Sequence, residues 1–279
     1  MEKEEQEQNI ETEEPLVMET KEPERPFVCV RDDFDCINDD PLSLPFLFLP
    51  KQFHDNRGCF AVCLGKGECD TIAKIEGAEK FSGLLERTVQ INRSFSIPGV
   101  FRGFHAQKAP NCQGKLVECL TDTPIWDIIV DARPDSKTFQ QYTVFKLTGP
   151  GMEKVWVPRG FLHGFMVPKF NVKMDEEEAG KYIKYEYTLP TQIQYFADAK
   201  YSKEDEIGIQ PDILLQIIMQ TYRKQFESDP KANFALYGLI QTYLDGLTIS
   251  EKDNAGIDIK DFLDKIVADY KETGKVWYR

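Results

Sequence analysis

Residues 116–158 read LVECLTDTPIWDIIVDARPDSKTFQQYTVFKLTGPGMEKVWVP, and this stretch decides the fold class. It holds four short runs, Leu116–Leu120, Trp126–Ala132, Tyr142–Leu147 and Val155–Val157, each rich in β-branched or aromatic residues. Turn residues separate them, notably Pro134-Asp135-Ser136 and Gly149-Pro150-Gly151. Many short strands divided this way predict a sandwich or barrel rather than an α/β sheet. The same signal extends outward from about Phe27 to Gly208.

After Pro211 the apolar period changes. Ile213, Leu214, Ile217, Ile218, Met219, Tyr222 and Phe226 recur at helical spacing, as do Phe234, Tyr237, Ile240, Tyr243 and Leu244. These stretches predict an αα-hairpin packed on the β domain. A third helix is predicted to start at the N-cap Asp258, carry Ile259, Phe262, Leu263, Ile266, Val267 and Tyr270, and stop near Gly274. The reading is therefore mainly β with C-terminal helical additions. It divides into a tail over 1–26, a β domain over 27–210, a helical insertion over 211–246 and a C-terminal segment over 247–279.

Charge and composition exclude several classes. The tail carries ten glutamates against Lys3, Lys21 and Arg25, which makes seven of the thirteen net negative charges. With few large apolar side chains it cannot bury enough surface to offset its ordering entropy, so it is expected to be disordered. The remainder is only mildly acidic, which argues against a nucleic-acid partner. No apolar run reaches the roughly 18 residues of a membrane helix, and no secretory pattern opens the chain. The seven cysteines (Cys29, Cys36, Cys59, Cys63, Cys69, Cys112, Cys119) form no CxxC pair and fit no zinc framework. Reduced thiols and a cytoplasmic location are expected.

The three histidines narrow the search for a site. His105 lies in GVFRGFHAQ (99–107), with QGK (113–115) shortly after, and His163 lies in VPRGFLHGFMV (157–167); His54 sits in HDNRG (54–58). A histidine among Phe and Val is commonly a core residue. Arg102 and Lys115, however, fall on the same group of strands, and burying two cations there is costly unless a negative charge meets them. That points to an anionic ligand. A metal is the rival, but two histidines with an ammonium nearby make a poor ligand set, so neither metal nor cofactor is expected.

Taken in order, GVFRGFHAQ, QGKLV, WDIIVDAR with SKTF, and VPRGFLHGF resemble the dTDP-4-dehydrorhamnose 3,5-epimerases, the RmlC-type cupins, over about 90–165. Weaker similarity reaches HDNRG and the IGI at 207–209. The resemblance implies a metal-free cupin jelly roll, a homodimer with exchanged strands, and a nucleotide-diphosphate sugar as substrate. It places the general base on His105, the enolate-stabilising ammonium on Lys115, an arginine beside the base on Arg102 and a second site histidine on His163. Gln90 and Asn92 fall on the residues that read the nucleotide base, and Arg57 on an arginine that contacts the diphosphate. Counting back from Pro190 puts the general acid on Tyr182 and a neighbouring site tyrosine on Tyr187, with Tyr185 the substitute if a gap moves. The family pairs its base with an aspartate in a Ser-x-Lys-Asp motif. Here that motif appears late, within LTISEKDNAG (247–256), and assigns the role to Asp253. One departure is Val62, where the family has a glutamate, and it leaves the choice of nucleotide open.

The chemistry implied explains these residue types. A C4 ketone acidifies the hydrogens at C3 and C5, and inversion needs a base on one face of the sugar and an acid on the other. A neutral imidazole suits the base, a carboxylate fixes its tautomer, and an ammonium meets the enolate oxygen. Arg102 and His105 are three apart, so a regular strand would point them to opposite faces, whereas a bulge at Gly103 brings both inward. The rival functions are a mono-epimerase or ketoisomerase on a related sugar nucleotide, and a non-catalytic sugar-nucleotide-binding cupin.

Overall fold

Every residue of the strand Ile125–Asp131 is buried, although its side chains alternate between two faces. Ile125 and Ile129 join one apolar cluster with Val117, Phe145, Val155, Phe165 and Ile193. Trp126, Ile128 and Val130 join another with Phe104, Leu162, Ile207, Phe262 and Ile266. The strand therefore lies in a sheet covered on both sides, which is why its sequence is nearly continuous in apolar residues.

The computed structural model describes residues 45–48, 50, 52–56, 58–65, 69–70, 84–174, 182–214, 217 and 246–279. The acidic tail, Arg57 and most of the helical stretch expected over 211–246 lie outside these residues. In chain order the elements are β1 (Phe46–Phe48), β2 (Gln52–Asp55), β3 (Gly58–Ala61), α1 (Leu84–Arg87), β4 (Gln90–Ser96), β5 (Phe101–Gln107), β6 (Lys115–Cys119) and β7 (Ile125–Asp131). There follow β8 (Tyr142–Leu147), β9 (Lys154–Val157), β10 (Phe161–Met166), β11 (Phe170–Met174), β12 (Tyr182–Glu186), β13 (Thr191–Ala197) and β14 (Glu206–Ile209), then α2 (Glu251–Asn254) and α3 (Ile259–Thr273). The four runs that open the sequence reading are β6 to β9.

Two antiparallel five-stranded sheets face each other, ordered β1-β9-β6-β13-β4 and β14-β5-β10-β7-β8. Neighbours in space are mostly distant in sequence, and the result is a cupin jelly roll. Between the sheets lie Val117, Val155, Val157, Phe165 and Ile193 at one end and a cavity at the other. The outer face of the second sheet is covered by α3, which buries Ile259, Phe262, Leu263 and Ile266. This helix starts and stops where the sequence predicts. The Asp258 carboxylate accepts from the Asp261 amide at 3.0 Å, and Gly274 closes the helix in the left-handed region at φ 66°. No helix among the described residues is long and apolar enough to cross a membrane.

Candidate active site

The site begins with an irregularity in β5. Across β10 the register pairs His105 with His163 and Arg102 with Phe165. Two residues of β5, Gly103 and Phe104, thus oppose the single Gly164, which is a β-bulge. The bulge resolves the three-residue spacing: Arg102 and His105 both line the cavity, while Phe104 turns the other way into the apolar cluster under α3.

Glycine at 103 has a specific cause. Its amide donates to Asp253 Oδ2 at 3.0 Å, and a Cβ there would stand 2.9 Å from both Cβ and Cγ of Asp253. The aspartate reaches this point because residues 248–257 are stitched to the sheet. The Phe101 amide donates to the Thr248 carbonyl at 3.0 Å, the Thr248 amide to the Gly99 carbonyl at 2.8 Å and the Ile257 amide to the Gly208 carbonyl at 2.9 Å. Within this segment the SEKD motif is a capping turn. Ser250 is the N-cap of α2, and its hydroxyl accepts from the Asp253 amide at 3.1 Å. Asp253 thus sits in the first turn of α2 and is buried against His105.

The carboxylate of Asp253 lies 3.0 Å from His105 Nε2. Burial works to raise its pKa, yet the bonds from His105 and the Gly103 amide prevail and hold it at about 2. Asp253 is therefore ionised at neutral pH, and His105 Nε2 must carry the hydrogen between them. The other nitrogen, Nδ1, is shielded from water and makes no hydrogen bond. Glu206 Oε1 lies 3.2 Å from it, out of alignment for a hydrogen bond.

The cavity of about 490 Å³ is lined by His105, Lys115, His163, Tyr195, Glu206 and Asp253 among others. Lys115 enters from β6 with its ammonium 5.6 Å from the centre of the Tyr195 ring. Burial pushes that ammonium below the usual lysine range, against the opposing pull of Cys112, Asp127 and Glu206. His163 is fixed by Asp127, whose Oδ1 lies 2.7 Å from Nε2. The sequence argument from two buried cations needs correcting at Arg102, which is exposed. Its guanidinium reaches the Ser96 hydroxyl at 2.9 Å and the Phe95 carbonyl at 3.0 Å, so it stands at the rim and remains solvated.

Gln90 and Asn92 share the inward face of β4 with Ser94, which lines the cavity, but neither lines it. The Gln90 amide donates to Asn92 Oδ1 at 2.8 Å and its oxygen accepts from the Tyr201 amide at 3.0 Å. Tyr182 opens β12 opposite Met174, and its side chain lies outside the described residues. Tyr187 follows that strand, half-buried, and is not among the described residues lining the cavity.

Several lining or supporting groups escape sequence reasoning. Glu206 and Lys252 resemble ordinary surface charges, and Tyr195 sits in an unremarkable alternating strand. Asp127 gave a signal, since it is a lone acid inside the apolar run WDIIV, where an unpaired carboxylate would be costly.

Comparison with known proteins agrees with this geometry. The family model for dTDP-4-dehydrorhamnose 3,5-epimerase matches residues 41–186. A protein of that name from Sinorhizobium fredii is 34% identical over 168 residues, covering 60% of this chain and 70% of the relative. Another from Shigella flexneri is 36% identical over 121 residues, covering 43% of this chain and 61% of the relative. The chain thus spans about three fifths of the length of curated relatives such as the Shigella protein. The crystal structure of dTDP-4-dehydrorhamnose 3,5-epimerase from Elizabethkingia anophelis superposes with a TM-score of 0.51 at 26% identity, covering 79% of this chain and 94% of that one. A matched model over more than half the residues, on a jelly roll whose bulged strand and late aspartate meet at one imidazole, leads to one assignment: the chain belongs to the dTDP-4-dehydrorhamnose 3,5-epimerase family.

Proposed function

We propose that this protein inverts C3 and C5 of a nucleotide-linked 4-keto-6-deoxy sugar, converting dTDP- or UDP-4-keto-6-deoxyglucose to the 4-keto-rhamnose form. The observation that carries the reading is the His105–Asp253 pair opening onto a cavity that also holds the Lys115 ammonium. His105 takes the proton from the carbon beside the ketone, and Asp253 stabilises the imidazolium that forms. Lys115 meets the charge that develops on the C4 oxygen. A tyrosine returns a proton to the opposite face. Tyr182 takes that role, with Tyr187 beside the sugar and Tyr195 contributing to the cavity wall.

Arg102 at the rim and Arg57 take the diphosphate, Gln90 and Asn92 take the nucleotide base, and His163 borders the sugar. The reaction needs no metal, because the ammonium supplies the positive charge. Residues 211–246 are an insertion beside this machinery. Support for that comes from the chain on either side: the Gln210 amide donates to the Ile257 carbonyl at 2.9 Å, so the strands before it and the SEKD turn after it join directly.

The working form is a homodimer in the cytoplasm. The outer face of β4 leaves Ile91 and Phe95 58% and 66% exposed at a sheet edge, an apolar strip suited to a second copy. Cys59, Cys63, Cys69, Cys112 and Cys119 are free thiols, in keeping with a reducing compartment.

Solvent exchange tests the reaction. The protein is incubated with dTDP-4-keto-6-deoxyglucose in heavy water and the sugar is followed by NMR. Deuterium at both C3 and C5 is expected. Label at one centre would reduce the activity to mono-epimerisation, and no label would leave a binding protein.

A further inference from the structure

We propose that Tyr195 is a catalytic acid, which delivers a proton to a carbon beside the ketone from the cavity wall that faces the two histidines. The proposal rests on the epimerase reading and goes beyond it. Inversion at C3 and at C5 asks for a proton on either side of the ketone, so there is work for a donor besides Tyr182.

The two sheets set the position. Tyr195 belongs to β13, in the sheet ordered β1-β9-β6-β13-β4, whereas His105 and His163 belong to β5 and β10 of the other sheet. All three line the same cavity. Tyr195 points inward because it shares a strand face with Ile193, which is buried between the sheets. A sugar ring held between the walls shows one face to the imidazoles and the other to the phenol. That is the disposition inversion requires, since the proton leaves by one face and returns by the other.

The hydroxyl is uncommitted. A phenol packed in a protein ordinarily finds a hydrogen-bond partner, as Tyr201 does in Glu206 and Tyr278 in Asp135. Tyr195 is half-buried, yet among the described residues its hydroxyl makes no hydrogen bond. Nor is its oxygen sealed off, for the buried unpaired side-chain atoms among those residues are His105 Nδ1, Asp127 Oδ2 and Thr143 Oγ1. The phenolic hydrogen is therefore open to a ligand in the cavity.

Electrostatics suit the transfer. Burial, with Glu206 and Tyr201 adding to it, pushes the phenol above its usual pKa, so it holds its proton at neutral pH until an enolate takes it. The Lys115 ammonium stands 5.6 Å from the ring centre and attracts the phenolate that remains. Lys115 pairs across the sheet with Ala197, whose small side chain leaves room for the stem to fold over the ring. In the step itself the base holds the proton removed from carbon, and the C–H electron pair rests in the enolate. Those electrons take the Tyr195 hydrogen on the opposite face as the C4 carbonyl re-forms. The base is left protonated and Tyr195 a phenolate, and one proton passed through water resets the pair.

Tyr195→Phe tests the assignment, since it removes only an oxygen that holds nothing in the fold. Wild type and variant are given dTDP-4-keto-6-deoxyglucose in heavy water, and NMR reads both label and configuration at C3 and C5. At one or both carbons the variant should invert about tenfold or more slowly, while still gaining deuterium with the original configuration. The base in that case removes and returns hydrogen on its own face. A second measurement covers return of the same hydrogen without exchange. With substrate deuterated at that carbon, the isotope effect on inversion should be smaller than in wild type, delivery having become the slow step. Inversion unchanged at both carbons, or slowed with neither signature, would overturn the proposal. Absence of exchange by the wild type would instead overturn the epimerase reading beneath it.

Discussion

Asp253 does two jobs with one carboxylate, holding His105 and anchoring the Gly103 amide, and both favour its ionised form. Its pKa falls from the usual 3.8 to about 2. A depressed acid stabilises the fold above its unfolded value, and that contribution is lost as pH falls through the folded one. The stability advantage of wild type over Asp253→Asn should therefore be constant above about pH 5 and shrink between about pH 4 and pH 2, as chemical denaturation at each pH would show. On the chemistry, Lys115→Ala should lower exchange by about 10²–10³ while leaving the circular dichroism unchanged, since one preorganised donor to an oxyanion is lost. His105→Ala should abolish exchange at both centres. Legibility at this scale was uneven. His105, Lys115 and Asp253 stood out because rare or charged residues sat in apolar or motif-bearing stretches. Glu206 did not, because its partnership with His105 joins segments about a hundred residues apart and leaves no local pattern.

The bulged β5 carries its own prediction. Gly103→Ala places a methyl 2.9 Å from Asp253 Cβ and Cγ, so either the SEKD turn or the strand must shift. Exchange should fall, and the pH dependence of stability should flatten as in Asp253→Asn, measured by the same denaturation series. A positional shift of about 1 Å is enough to cost on the order of 10² in rate. The helix α3 behaves differently, because it packs behind the sheet and away from the cavity. Phe262→Ala empties a site against the Trp277 ring, 5.8 Å away, and should cost about 3–5 kcal/mol in urea unfolding while kcat of the folded protein stays near wild type. Strands and helix termini were readable here because turn residues, apolar period and caps act locally. The pairing order of the strands was not, since it depends on contacts between distant segments.

Across the whole molecule, the exposed strip on β4 sets the expectation for assembly. Replacing Ile91 and Phe95 with glutamate should convert a dimer to a monomer in light scattering, because like charges would face each other across the interface. Wild type that remained monomeric at micromolar concentration would overturn the dimer. A sandwich or barrel was legible from strand spacing alone, and the jelly roll and the assignment of its contents came through the resemblance of particular motifs. The placement of the late aspartate was recoverable only because the Ser-x-Lys-Asp motif survives as SEKD.

That placement has a consequence for biosynthesis. Gly103 and Asp253 stand 150 residues apart and touch. On a ribosome the β strands can begin to associate long before the aspartate has been made, but the imidazole lacks its partner until the chain has grown past Asp253. A prematurely terminated product that kept both sheets would own a pocket without a working base. Under the proposed function it would compete for sugar nucleotide while turning it over far more slowly than the full-length chain.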